Sequence, residues 1–224
     1  MELLKKIICA SLALCAALLL LGACGQKSNE EAESVQTPWK PGDKYPVVTI
    51  TLEDGGVITA ELYPDKAPNT VHNFISLAKS GYFDGKTFHR AAPDFMIQGG
   101  SPNGDGLSTG FPYSIKGEFA NNGFMLNADL KHTPGVLSMA RIGGMNDSAS
   151  CQFFIMHGVS PSLDGDYASF GIVTSGMDVV DRVANRPSSG YPNYILVENV
   201  PIKSVTVDTQ GVDYPEPKTL PPIQ

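Results

Sequence analysis

Apolar and polar residues alternate from Val48 through Ile50 to Leu52, with Thr49 and Thr51 between them, and Ile58, Ala60 and Leu62 repeat the pattern. Glu53-Asp54-Gly55-Gly56 separates the two runs, so the pattern predicts a hairpin with one apolar face. Beyond Asp65 the period changes. Val71, Phe74, Ile75 and Ala78 follow helical spacing behind Pro68, and Gly81 ends the segment, which predicts a first helix. Met177, Val180 and Ala184 predict a second. Between them lie short strand-like runs separated by Gly, Asn and Asp, including a glycine-rich loop from Ser101 to Gly110. Many short strands with few helices favour a mainly β fold, a closed antiparallel barrel, over an alternating α/β arrangement. The length suits one core, and the pattern leaves the number of strands open.

The two ends read differently. Lys5 and Lys6 precede an apolar run from Ile7 to Leu21, too short to span a bilayer comfortably, and small residues follow. Residues 1–23 therefore read as a secretory signal peptide. Its end, Leu21-Gly22-Ala23-Cys24, resembles a bacterial lipobox. That resemblance implies cleavage before Cys24, acylation of Cys24 with palmitate-type chains, and a lipoprotein exported and anchored to a membrane. In a source with a single membrane it would sit on the outer face of the cell membrane. The alternative is an ordinary signal peptide followed by a chance cysteine. Residues 24–45 are polar, with Glu30, Glu31 and Glu33 among them, and read as a flexible tether with an end-to-end distance on the order of 25 Å. An arm packed around Trp39 is the other reading. The globular domain is expected over residues 46–210. Residues 211–224, with Pro215, Pro217, Pro221 and Pro222, read as a disordered proline-rich tail rather than a docking strand.

Composition removes several function classes. The chain carries a net charge of −7, which becomes −8 once Glu2, Lys5 and Lys6 leave with the signal, and no basic stripe that would bind nucleic acid. With Cys9 and Cys15 in the signal and Cys24 acylated, Cys151 would be the one thiol left, a small buried residue without a disulfide partner. His72, His89, His132 and His157 show no ligand spacing with cysteines or carboxylates, so no metal is expected, and Asp164-Gly165-Asp166 reads as a turn. No nucleophile elbow or phosphate-binding loop appears. No cofactor is expected.

Three segments carry the chemistry: Phe88-His89-Arg90, then Phe95-Met96-Ile97-Gln98-Gly99-Gly100, then Gln152-Phe153-Phe154-Ile155. They supply one permanent cation, two amides and several apolar rings without a competent nucleophile, an inventory suited to a reaction that breaks no covalent bond. With Leu137-Ser138-Met139-Ala140, Leu163-Asp164-Gly165 and Phe170-Gly171 in the same order, the chain from about Val47 to Asp208 resembles the cyclophilins, peptidyl-prolyl cis/trans isomerases. The resemblance implies eight barrel strands, a helix capping each end, and an active face outside the barrel. It implies a catalytic set of Arg90, Phe95 and Gln98. Met96, Phe154, Leu163 and Tyr167 would complete a cup for the proline ring, Ala140 and Arg141 would meet the extended substrate, and Gln152 and Gly106 would be neighbouring contacts. His89 reads as structural rather than as a general base.

The implied partners are proline-containing exported polypeptides, met by a single copy of the chain. Ser162 stands where many members carry tryptophan, Ser101 where aspartate is common and Arg141 where eukaryotic members usually have asparagine. These departures bear on inhibitors and substrate preference more than on turnover. The competing reading is a binding module of the same fold, a chaperone or adhesin that holds proline-containing segments with little turnover. A solute-binding lipoprotein is disfavoured by the single small domain.

Overall fold

The computed structural model describes residues 37–108 and 110–223, so the signal segment and Cys24 lie outside the described residues. The alternating runs form β1 (Val47–Leu52) and β2 (Val57–Leu62), antiparallel from Val47 opposite Glu61 to Thr51 opposite Val57. The chain continues through α1 (Pro68–Lys79), β3 (Thr87–Ala92), β4 (Met96–Gly99), β5 (Val136–Met139), β6 (Phe153–Met156), β7 (Ser169–Ser175), α2 (Met177–Ala184) and β8 (Ile195–Asp208). The strands close in the order β1-β2-β7-β5-β6-β4-β3-β8, with β8 back on β1. Among the described residues this is a closed eight-stranded antiparallel β-barrel with two helices, as expected.

Alternation fills the barrel. Val48, Ile50, Leu52, Ile58, Ala60 and Leu62 are fully buried and join Phe83, Phe88, Phe153 and Phe170 in one core. Both helices lay apolar faces on that core: Val71, Phe74 and Ile75 from α1, and Val179, Val180 and Val183 from α2. Phe74 meets Phe83, Phe153 and Phe170 at ring-centroid distances of 5.0, 5.3 and 5.3 Å. Helix α1 has proline in its first turn and no capping side chain of its own. Glu118 takes that role from a distant loop: its carboxylate accepts the Asn69 and Thr70 N–H groups at 3.0 and 2.7 Å, satisfying donors the helix leaves open.

Two expectations about the ends are revised where the structure describes them; residues 24–36 of the expected tether lie outside the described residues. Within the tether expected over residues 24–45, Trp39 packs against the core, stacks on Tyr45 at 5.0 Å and donates from its indole to the Asp43 carbonyl at 3.2 Å. The apolar area of Trp39 and Tyr45 outweighs the polar composition around them. The tail is a strap, not a loose end. Tyr214 is buried, Lys218 exchanges two backbone hydrogen bonds with the side chain of Asn69 at 2.8 and 2.9 Å, and Leu220 bridges Ser114 in both directions at 3.1 and 2.7 Å. Prolines cannot donate, but Lys218 and Leu220 between them do, to the Asn69 side chain and the Ser114 carbonyl.

Candidate active site

The position of Arg90 depends on one irregularity. Phe88 points into the barrel, and strict alternation would send Arg90 there too. In the pairing of β3 with β4, however, Phe88 lies opposite Gly99 and Arg90 opposite Gln98, two steps against one. The extra residue, His89, makes a β-bulge, and bulges re-aim side chains next to active sites. Past it Ala91 joins the core, while Ala92 joins a second apolar cluster outside the barrel and Arg90 faces the same way. Met96 and Gln98 on β4 share that outer face, and Phe154 on β6 lies opposite Gln98.

A chain of polar contacts holds the arginine. Its Nη1 donates to Gln98 Oε1 at 3.2 Å and lies 3.7 Å from Met96 Sδ. Its Nε donates to the Asn193 carbonyl at 2.9 Å. Gln98 spends its amide N–H on Gln152 Oε1 at 2.9 Å, and the Gln152 amide donates to the Gly106 carbonyl and Ser108 Oγ at 3.0 and 2.9 Å. Each amide thus has its oxygen and nitrogen assigned by the next partner, so the guanidinium plane is fixed from two sides. Burial works against the charge of Arg90 and lowers its pKa, with Tyr167 and Tyr194 opposing that effect.

Beside this cation lies a cavity of about 150 Å³. Arg90 and Gln98 form its polar side, Phe95, Met96, Phe154, Leu163 and Tyr167 its apolar side, and Ala140 and Arg141 its rim. The remaining two expected residues, Gly106 and Gln152, border an adjoining cavity of about 260 Å³ that shares Gln98, Ala140 and Arg141 with the first. Arg141 is turned from the rim onto aromatic faces: its guanidinium lies 4.7 Å from the Tyr167 ring and 5.3 Å from the Phe119 ring, and its Nε donates to the Asp166 carbonyl at 2.8 Å. The Ala140 N–H is already donated to the Gln152 carbonyl at 3.0 Å.

The expected set omits the groups behind these. His132 stacks on Phe154 at 6.0 Å, and its Nδ1 lies 2.9 Å from Asp164 Oδ1 and its Nε2 3.0 Å from Ser138 Oγ. Burial lowers the His132 pKa against the pull of Asp164. A neutral ring that donates through Nδ1 and accepts the serine hydroxyl satisfies all three groups. Ser138 and Asp164 stand inside two of the motifs that carry the family resemblance, and that was their only signal in the sequence. Asn193 gave none, because it acts through its carbonyl.

The neighbouring loop explains two glycines and a serine. Ser101 Oγ accepts the Gly106 N–H at 3.2 Å and lies 3.0 Å from Asp105 Oδ1 and 2.9 Å from the Leu107 carbonyl. Gly104 and Gly106 have φ of +71° and +81°, conformations that disfavour a side chain. A Cβ on Gly106 would also press on the His89 ring at 3.3 Å. His89 is buried under this loop, and burial is the main cause that pushes its pKa down to about 4, so it stays neutral and structural. Ser162 sits exposed in the turn Pro161–Leu163, its Oγ 3.3 Å from Ser160 Oγ.

Comparison with known proteins places this architecture. The family model described as cyclophilin type peptidyl-prolyl cis-trans isomerase/CLD matches residues 47–207. Peptidyl-prolyl cis-trans isomerase B of Bacillus subtilis is 47% identical over 135 residues, covering 60% of this chain and 87% of that protein. A peptidyl-prolyl cis-trans isomerase of Acinetobacter baylyi is 40% identical over 163 residues, covering 70% of this chain and 82% of the relative. A crystal structure of a Cryptosporidium parvum cyclophilin type peptidyl-prolyl cis-trans isomerase, determined in the presence of the dipeptide Ala-Pro, superposes with a TM-score of 0.62 at 28% identity, covering 72% of this chain and 98% of that one. The chain belongs to the cyclophilin-type peptidyl-prolyl cis-trans isomerase family.

Proposed function

We propose that this isomerase rotates X–Pro bonds in exported proteins by stabilising the twisted amide with Arg90, and that it works from a lipid anchor on Cys24. Rotation about an X–Pro bond is slow because the amide carries partial double-bond character, with a barrier of roughly 18–20 kcal/mol. In the twisted transition state that character is lost and the prolyl nitrogen gains a lone pair. A donor aimed at it binds the transition state in preference to the planar ground state.

One observation carries the mechanism: the guanidinium of Arg90 is held at the edge of a proline-sized apolar cup by Gln98 and the Asn193 carbonyl. A preorganised charge beside apolar rings costs no reorganisation at the moment of rotation. An acceleration of about four decades asks for about 5–6 kcal/mol of differential stabilisation. Phe95, whose ring lies 5.8 Å from the guanidinium, Met96, Phe154, Leu163 and Tyr167 would hold the proline ring itself. Nothing in the set needs to accept or deliver a proton.

A protease-coupled proline-isomerisation assay tests the mechanism. Arg90→Ala is expected to lower turnover by at least about a hundredfold with an unchanged circular dichroism spectrum, since the lost donor acts mainly in the transition state. Near-normal turnover in a folded Arg90→Ala protein would exclude it, and peptide binding without turnover in the wild type would select the binding-module reading. The anchor rests on the lipobox resemblance at Leu21-Gly22-Ala23-Cys24. Several acyl chains on one residue hold a protein on a bilayer stably. The native protein should sediment with membranes and Cys24→Ser should release it or block its processing, whereas mass spectrometry showing an unmodified N-terminal Cys24 would contradict the anchor.

A further inference from the structure

The strap reaches the substrate groove. The Asn69 side chain holds Lys218, Ser114 holds Leu220 on both sides, and Ser114 Oγ donates to the Pro221 carbonyl at 3.1 Å. Pro221 and Pro222 then carry the chain stiffly onward, because each ring fixes its own φ. The next residue, Ile223, borders the cavity of about 260 Å³, where Leu107, Phe111, Tyr113 and Ile142 supply the other apolar surfaces. The strap lies beyond the residues 47–207 that match the family model. This stretch of wall is therefore added to the barrel by this chain's own extension.

The two cavities adjoin, sharing Gln98, Ala140 and Arg141. An extended peptide advances about 3.3 Å per residue. A substrate whose proline fills the smaller cavity thus brings the side chain of a residue near that proline into the larger one, against Ile223. We propose that Ile223 is a specificity-determining residue of this isomerase, forming the outer wall of the subsite for a side chain flanking the proline and favouring apolar side chains there. The proposal rests on the functional reading above for its substrate, and its own content is the wall.

Charge swaps at the wall test it in the full-length protein. Wild type, Ile223→Asp and Ile223→Lys are compared on X–Pro peptides that carry Leu, Glu or Lys at each of the two positions on either side of the X–Pro pair. Both kcat/KM and Kd, the latter by NMR titration, are normalised to a glycine-flanked reference. At one of these positions wild type is expected to prefer Leu. There Ile223→Asp should shift the Lys-to-Glu ratio by about tenfold towards Lys, and Ile223→Lys by a similar factor towards Glu, since opposite charges attract and like charges repel across a desolvated contact. A disturbance of the fold would move both ratios the same way. Equal ratios in all three proteins, or equal shifts in both variants, would overturn the proposal. A wild type that binds the peptides without turning them over would sink the isomerase mechanism while the Kd ratios still decide the wall, and failure to bind any of them would overturn both.

Discussion

Phe153 and Phe154 are consecutive residues of one strand with opposite surroundings. Phe153 is fully buried and meets Phe74, Phe83 and Phe88 in tilted edge contacts at 5.3, 5.5 and 5.8 Å. Phe154, itself only 5% exposed, is backed by His132 at 6.0 Å and touched at its edge by Tyr167 at 5.8 Å, and it lines the cup. The first cluster is closed: its rings have no surface left to offer. The second is incomplete, because Phe95, Leu163 and Tyr167 are only partly buried and surround space rather than one another. The same residue type thus serves cohesion on one side of the sheet and recognition on the other, and period-2 alternation separates the roles.

Paired truncations probe that separation most strongly. Phe153→Ala is expected to lose about 3–5 kcal/mol of unfolding free energy, the usual result of emptying a packed aromatic site. Phe154→Ala should lose distinctly less stability and most of its kcat/KM. Chemical denaturation and the coupled assay on both proteins check this, and equal stability losses would show the outer cluster to be as closed as the inner one.

Acid separates the two sides next. Burial pushes His72, on α1 beside Tyr214, and His89, under the glycine loop, down to about 4 from an ordinary 6.5. Their folded values lie below the unfolded ones, so the unfolded chain binds more protons throughout that window. Their contribution is complete above pH 6.5 and is lost as pH falls towards 4. Denaturation midpoints should decline below pH 6.5. Between pH 8 and 6.5 the kcat/KM of the folded enzyme should be flat, because a guanidinium keeps its charge across that range. A kinetic titration near pH 7 would assign a proton-transfer role that the cup does not need.

The smallest effect tests the clamp itself. Arg90→Lys keeps a cation but cannot donate to both Gln98 and the Asn193 carbonyl while reaching the cup. Its turnover should fall by about tenfold or more, about 1.4 kcal/mol of transition-state stabilisation. A lysine enzyme as fast as wild type would reduce the clamp to a point charge.

Much of this was legible before any coordinates. The hairpin Val48–Leu52 with Ile58–Leu62 could be read because a half-buried strand shows its period, and α1 because Pro68 and Gly81 bracket a helical repeat. The cup could be read only through resemblance, since a lone Phe-Phe-Ile says nothing about which ring faces outward. Two features stayed hidden. The Asn193 carbonyl belongs to no side chain and lies about a hundred residues from Arg90. The strap has the composition of a loose tail, and it is held by individual contacts to Asn69 and Ser114 that no local pattern announces.

The bulge at His89 gives the barrel a parity. A strand is a two-state message, in and out, and one inserted residue shifts every later position by one frame. Upstream of His89 the frame of β3 writes the interior, with Phe88 in the core; downstream it writes the outer face at Arg90. A single-residue insertion in β3 therefore acts as a frameshift in space. One codon added between His89 and Arg90 would direct a guanidinium into a core of phenylalanines and leave the cup without its cation, although every motif residue would still be present in order. Loss of His89 would only restore strict alternation, with Arg90 still outside.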